Sequence, residues 1–272
     1  MAIVLQKPSS YHNLFGIFVG VENFHHSKGQ IGNLMHANED ADKMCALFLP
    51  AQKTTIRKHE LSLLVDHGYQ VAYRDAVSAL EPTRANILRA LTNYLKKAKA
   101  DDLLLLYIST HGLIDYDDYF FMPCDGELDN VLGTGIASST LIGAIGKVSA
   151  RGVKALLILD TCHAGAVSFD ISKYKGEFAC LLSSSPVEYS YEFFKAEHGV
   201  FTEYLVKGLA GAAAQQGKPV TLIDLYDYVY RNVQQSTKKQ QNPLLIGTMK
   251  YDTVLIDNEP ASRLLNTEAA AR

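Results

Sequence analysis

"LLILDTCHAGA", residues 156–166, runs four apolar residues into an acid, a threonine, a thiol, an imidazole and three small residues. A short, uninterrupted apolar run of this kind reads as a strand buried on both faces, as in parallel sheets covered by helices. The run ends at Asp160, so Cys162 stands where the strand stops and its loop begins. A second stretch repeats the design. "DDLLLLYIST" (101–110) is apolar after its two acids and delivers His111 and Gly112. Open α/β sheets gather their chemistry outside the carboxyl ends of the strands. Parallel pairing of these two strands would bring a thiol and an imidazole to one sheet edge.

The rest of the chain alternates strand-like and helical segments. "LFGIFVGV" (14–21) reads as the first strand and "YQVAYRD" (69–75) as the second, with further strands at "FACLLSSS" (178–185) and "PLLIGTM" (243–249). Helical periodicity runs through 33–49, where Leu34, Ala37, Ala41, Met44 and Phe48 share a face. It returns at 81–100, with Pro82 near the start and lysines at the end, then at about 139–149, 200–214 and 221–236. This alternation predicts an α/β fold, a mainly parallel central sheet with helices on both faces. Residues 1–258 read as one domain, and 259–272 lack a packing pattern and read as a loose tail.

Composition narrows the function classes. A net charge of −3 supplies no broad positive field, so neither nucleic acid nor an acidic membrane is an expected partner. No stretch reaches the roughly 18 apolar residues of a membrane span, and the opening residues lack the pattern of a secretory leader. Four cysteines (Cys45, Cys124, Cys162, Cys180) make no disulfide framework in 272 residues, which points to free thiols in a reducing cytoplasm. No CxxC or HExxH spacing suggests zinc, and no glycine-rich fingerprint suggests a nucleotide.

A cysteine becomes a nucleophile when it is a thiolate or when a neighbouring base takes its proton. His111 is the candidate base. His163 is adjacent to the thiol in sequence, and neighbouring side chains point apart, so it is read as positional. Gly112 leaves room for a carbonyl to approach the backbone. The N–H groups of Gly112 and Cys162 are candidate oxyanion donors, because developing charge needs fixed dipoles.

"YISTHG" and "LDTCHAG" resemble the two signature blocks of the caspase-like cysteine peptidases, closest to the metacaspase-type branch. His111 lies 51 residues before Cys162, and caspases place their histidine about 50 residues upstream. "NLMHANEDADKM", "PTRANILRAL", "CLLSSSPVEYSYE", "HGVFTEYLVKGLAG" and "QNPLLIG" resemble further family segments, so the likeness covers about 12–257. Thr110, Thr161 and Ala164 depart from the metacaspase pattern, each by a small residue.

The resemblance implies a caspase-like three-layer sandwich, with a large-subunit-like part at 12–165, a linker at 166–177 and a small-subunit-like part at 178–257. It implies hydrolysis of peptide bonds through a thioester on Cys162. It also implies that Asp160, Asp40 and Ser109 bind an Arg or Lys side chain before the cut. Charge-assisted pairing would favour such a substrate, and the carboxylates would repel an acidic one. Lys173 and Lys175 stand where the family is processed, with Lys195 a second place, so an activating protease or regulatory partner is expected.

Many metacaspases use calcium, and this chain has Asp115, Asp117, Asp118, Asp125, Asp129 and Asp170 near the relevant positions. The paired aspartates expected before the next helix are missing, so no metal or other cofactor is expected. The branch is mostly monomeric. A catalytically idle caspase-fold interaction module is the alternative, although an idle module has no need of both His111 and Cys162.

Overall fold

The computed structural model describes residues 11–27, 29–49, 56–162, 164–167, 174–185, 199–214 and 218–256. In chain order the strands are β1 (Asn13–Gly20), β2 (Lys58–Leu64), β3 (Ser78–Leu80), β4 (Leu103–Ser109), β5 (Gly112–Asp115), β6 (Asp118–Phe121), β7 (Ile136–Ala137), β8 (Lys154–Asp160), β9 (Phe178–Leu182), β10 (Val220–Thr221), β11 (Leu244–Gly247) and β12 (Val254–Ile256). The α-helices are α1 (Ala37–Leu47), α2 (Arg84–Lys97), α3 (Val131–Thr134), α4 (Ser138–Ser149), α5 (Val200–Lys207) and α6 (Leu222–Ser236).

Seven strands form the central sheet in the order β11-β9-β8-β4-β1-β2-β3. Every neighbouring pair is parallel except β11, which runs antiparallel to β9. Alternate side chains on the strands feed two cores. Phe15, Ile17, Leu104, Leu106 and Leu157 pack under α2 and α4 on one face. Leu14, Phe18, Leu105, Tyr107 and Ile158 pack under α1, α5 and α6 on the other. The expected layers are present: an α/β sandwich with a mostly parallel sheet.

From β1 the chain steps outward to β2 and β3, then returns across β1 to β4. That reversal is a switch point, and it opens a crevice at the carboxyl ends of β1 and β4. Register fixes what enters it. Pairing of β4 with β8 runs from Leu103 opposite Lys154 to Ser109 opposite Asp160. Thr110 and His111 on one chain, and Thr161 and Cys162 on the other, therefore leave the sheet together.

The expected strand at 69–75 is a correction. The second strand is Lys58–Leu64, aligned with β1 from Asn13 opposite Lys58 to Val19 opposite Leu64. Its polar beginning hides it from an apolar scan, and its place is set by distant pairing. In 69–75 the two tyrosines, four residues apart, serve another purpose. Tyr69 donates to the Asp42 carboxylate at 3.2 Å, and Tyr73 donates to the Asp42 carbonyl at 2.7 Å, so the segment straps α1 instead of joining the sheet. The helix expected from residue 33 begins at Ala37, and Leu34 lies outside it. The helix expected over 200–214 has regular turns only to Lys207, after which comes one wide turn, Gly208–Ala212, with Gly211 inside it at φ 116°.

A second, smaller sheet stands beyond β4. β5 and β6 form a hairpin whose two turn residues, Tyr116 and Asp117, both have positive φ (47° and 58°), and β7 pairs with β6. Positive φ at both positions twists the hairpin in the sense that strands favour.

The close fit of β1 to α1 depends on a missing side chain. A Cβ on Gly20 would fall 2.1 Å from the Ala37 carbonyl oxygen. Gly20→Ala is expected to cost about 1–3 kcal/mol through overpacking, read as a lower urea midpoint. A wild-type midpoint would contradict the fit.

Candidate active site

Asp40, Ser109, Thr110, His111, Asp160, Thr161, Cys162, Leu34 and Gly199 line one cavity of about 150 Å³ at the carboxyl ends of the strands. Cofactor and drug-sized sites run to roughly 300–1,000 Å³, so this one suits a single side chain and a reacting group.

Cys162 is partly exposed, whereas the other three cysteines are buried. Desolvation pushes the thiols of Cys45 and Cys124 up to about 12, and burial also raises that of Cys180 well above the ordinary cysteine value. The thiolate is the reactive form, so burial keeps those three inert.

His111 is half-buried against Phe24, with ring centroids 5.1 Å apart. Its Nε2 lies 2.8 Å from the Gly32 carbonyl oxygen. A carbonyl only accepts, so Nε2 carries the proton, and the neutral ring keeps its basic lone pair on Nδ1. Burial lowers the His111 pKa below the usual histidine value, with the Gly32 bond opposing in part.

Gly112 opens β5, opposite Phe121. The Met122 N–H donates to the His111 carbonyl at 3.0 Å, which makes Gly112 and Phe121 a non-hydrogen-bonded pair. The Gly112 N–H therefore points away from β6, on the outer edge of the small sheet. The structure adds a steric reason for glycine at this position. A Cβ here would fall 1.6 Å from the Tyr119 hydroxyl and 3.0 Å from the Cys162 carbonyl oxygen. The missing side chain makes room for a tyrosine of the same protein.

Asp40 and Asp160 are 2% and 7% exposed, so both are pocket groups and neither is a solvated surface charge. The Gly199 N–H, at the start of α5, donates to Asp40 at 3.1 Å. Thr202, one turn on, donates to Asp160 at 2.8 Å. Its single proton is thereby used, so Tyr107, 2.6 Å away, donates to Thr202. Burial first, and then the charges of Asp40 and Asp160, raise the Tyr107 pKa and keep it a donor. Ser109 is buried beside them and shares the Tyr107 hydroxyl. A Cβ on Gly199 would sit 3.1 Å from Asp160 and 3.2 Å from Asp40, so both carboxylates crowd one backbone position.

A family model, the caspase domain of the C14 peptidases, matches residues 15–254. The chain belongs to the caspase domain family. That membership supports cysteine-type peptidase activity. No curated protein sequence matches the chain significantly. Among solved structures, this caspase domain is similar to a Geobacter sulfurreducens protein (TM-score 0.62, 18% identity, 89% of this chain and 99% of that one). It is also similar to caspase-1 of Spodoptera frugiperda (TM-score 0.61, 13% identity, 96% and 99%). At these identities the likeness concerns the fold.

Of the remaining expected positions, Lys175 is exposed, while Lys173, Lys195, His163, Asp170 and the tail 259–272 lie outside the described residues. Several acids past His111 have local roles: Asp118 accepts from Ser138 and Ser139, and Asp125 accepts the Arg84 N–H at the start of α2. Among the described residues no group of three His, Cys, Asp or Glu side chains is placed to hold a metal ion, and no helix is long and apolar enough to cross a membrane.

Sequence reading missed Gly199, Thr202 and Tyr119, and it missed the knot that seats α1. One oxygen of Asp66 accepts from the Glu22 and Asn23 N–H groups and from the Asn23 and Asn38 side-chain amides, at 2.9–3.0 Å. This ties the ends of β1 and β2 to the first turn of α1, two residues before Asp40. Asp66→Ala leaves those donors unmatched and is expected to cost about 3 kcal/mol, measured by urea unfolding. A loss below about 1 kcal/mol would mean that the knot is dispensable.

Proposed function

We propose that this caspase domain is an endopeptidase cleaving after Arg or Lys. One observation carries the reading: a single cavity holds the accessible thiol, the half-buried imidazole and two buried carboxylates. Cys162 attacks the scissile carbonyl carbon, and His111 takes the thiol proton on Nδ1 and passes it to the leaving amine. The oxyanion lies between the N–H groups of Gly112 and Cys162. The C–N bond breaks, the thioester remains on Cys162, and His111 activates the water that hydrolyses it. Asp40 and Asp160, with Ser109 beside them, receive the guanidinium or ammonium of the substrate.

The domain works without a cofactor in this scheme, and the monomer suffices. Its partners are protein or peptide substrates with a basic residue before the cut. Lys175 is an exposed place for processing, with Lys173 its neighbour in the same linker. Cleavage there, by the protein itself or by an activating protease, would free the loops around the pocket.

A fluorogenic panel with Arg, Lys or Asp before the cut tests the specificity. Arg and Lys substrates should be cleaved and Asp substrates refused, with activity lost in Cys162→Ala and His111→Ala. Asp160→Asn should lower kcat/KM for Arg by about 10²-fold, the size expected when one member of a buried charge pair is removed. Preference for Asp, or activity surviving in Cys162→Ala, would rule the assignment out.

The pH profile gives a second test. A base whose pKa is lowered by burial stays unprotonated to lower pH, so activity should fall only at greater acidity. The acid limb of kcat/KM is expected to have its midpoint below about 6.5, the ordinary histidine value. A midpoint clearly above it would exclude His111, as placed, from the base role.

A further inference from the structure

Tyr119 is 2% exposed, on the middle strand of the small sheet, with its ring edge-on to Phe121 at 5.2 Å. Its hydroxyl lies 2.6 Å from the Cys162 carbonyl oxygen and 2.7 Å from Thr161 Oγ1. A phenol has one proton, and a carbonyl only accepts. The proton therefore goes to Cys162, and the Thr161 hydroxyl donates to the phenol oxygen. Burial raises the Tyr119 pKa, so that proton stays in place at neutral pH.

The two contacts straddle the peptide bond between Thr161 and Cys162, which carries the Cys162 N–H. The same hydroxyl occupies the space above Gly112 that a side chain would fill. One oxygen thus touches both segments that supply the oxyanion donors. We infer that Tyr119 is a positioning residue that sets the Cys162 amide against the Gly112 amide, so that both N–H groups meet the oxygen of the substrate carbonyl. This rests on the peptidase reading above. Across the loop, Ser183 donates to the Thr161 carbonyl at 3.2 Å, and Gln241 donates to the Ser183 carbonyl at 2.9 Å. Ser183 thus holds the carbonyl edge of the same Thr161–Cys162 peptide, and Tyr119 holds it from the Cys162 side.

Tyr119→Phe keeps the ring and removes only the hydroxyl. Loss of the hydrogen bond should lower Tm by no more than a few degrees. On an Arg substrate kcat should fall about tenfold or more with KM within about twofold, because oxyanion donors act on the transition state. A peptide aldehyde ending in Arg, whose adduct oxygen sits between the same donors, should lose affinity by a similar factor. Alkylation of Cys162 by iodoacetamide, which needs no oxyanion donor, should change by less than about twofold. Hydrogen exchange should rise across 160–165 and stay unchanged elsewhere.

Wild-type kcat and aldehyde affinity in the variant would overturn the inference. So would exchange that rises across the whole protein, the mark of a merely structural tyrosine. A wild-type protein that cleaves no peptide would defeat the peptidase reading. Exchange would then still decide whether Tyr119 holds the loop: a local rise would support the hold, and unchanged exchange would refute it.

Discussion

The pairing of β4 with β8 is the constraint on which the site depends. Two parallel strands, locked so that Ser109 faces Asp160, must release their next residues at the same height. A one-residue slip would turn every buried side chain of either strand to the opposite face. The two cores prevent it, because Leu104 and Leu106 belong to one cluster while Leu105 and Tyr107 belong to the other. Packing energy spread through the sheet is thereby converted into positional accuracy at its edge.

The pocket beside that edge is assembled from distant parts of the chain. Asp160 arrives with β8, Asp40 with the first turn of α1, and the Gly199 N–H with the start of α5. Burying two carboxylates is costly unless donors meet them, and α5 supplies donors to both from its first turn. The Tyr107–Thr202–Asp160 chain of hydroxyls then runs from the sheet core to the pocket wall, so the acid is oriented by the same strand that delivers His111.

The sequence shows the parts of this design whose chemistry is local. "LLLLYIS" and "ALLILD" are apolar enough to mark central strands, and a thiol and an imidazole at their tips mark the site. Asp160 and Ser109 are the last residues of those strands, and the binding role expected of them came only with the family resemblance; the strands read at 14–21, at 101–110 and in the run ending at Asp160 agree with the observed β1, β4 and β8 within a few residues. β2 was illegible because its first residues, Lys58, His59 and Glu60, face partly outward and its strand state comes from β1. Tyr69 and Tyr73 mimic a strand because two aromatic residues must reach one aspartate. Tyr119 carried no signal at all. In sequence it is one aromatic among several, and its meaning comes from a hairpin turn that brings it over a glycine. Thr202 was hidden for the same reason, since only the packing of α5 on the sheet brings it to Asp160.

Rapid acid quench of the enzyme during turnover of an arginine ester, followed by intact-mass and peptide mapping, tests the central claim most directly. The acyl group should be found on Cys162, and it should be absent when His111 is replaced by alanine. An ester hydrolysed with no adduct on Cys162, or with the acyl group on another residue, would contradict the account.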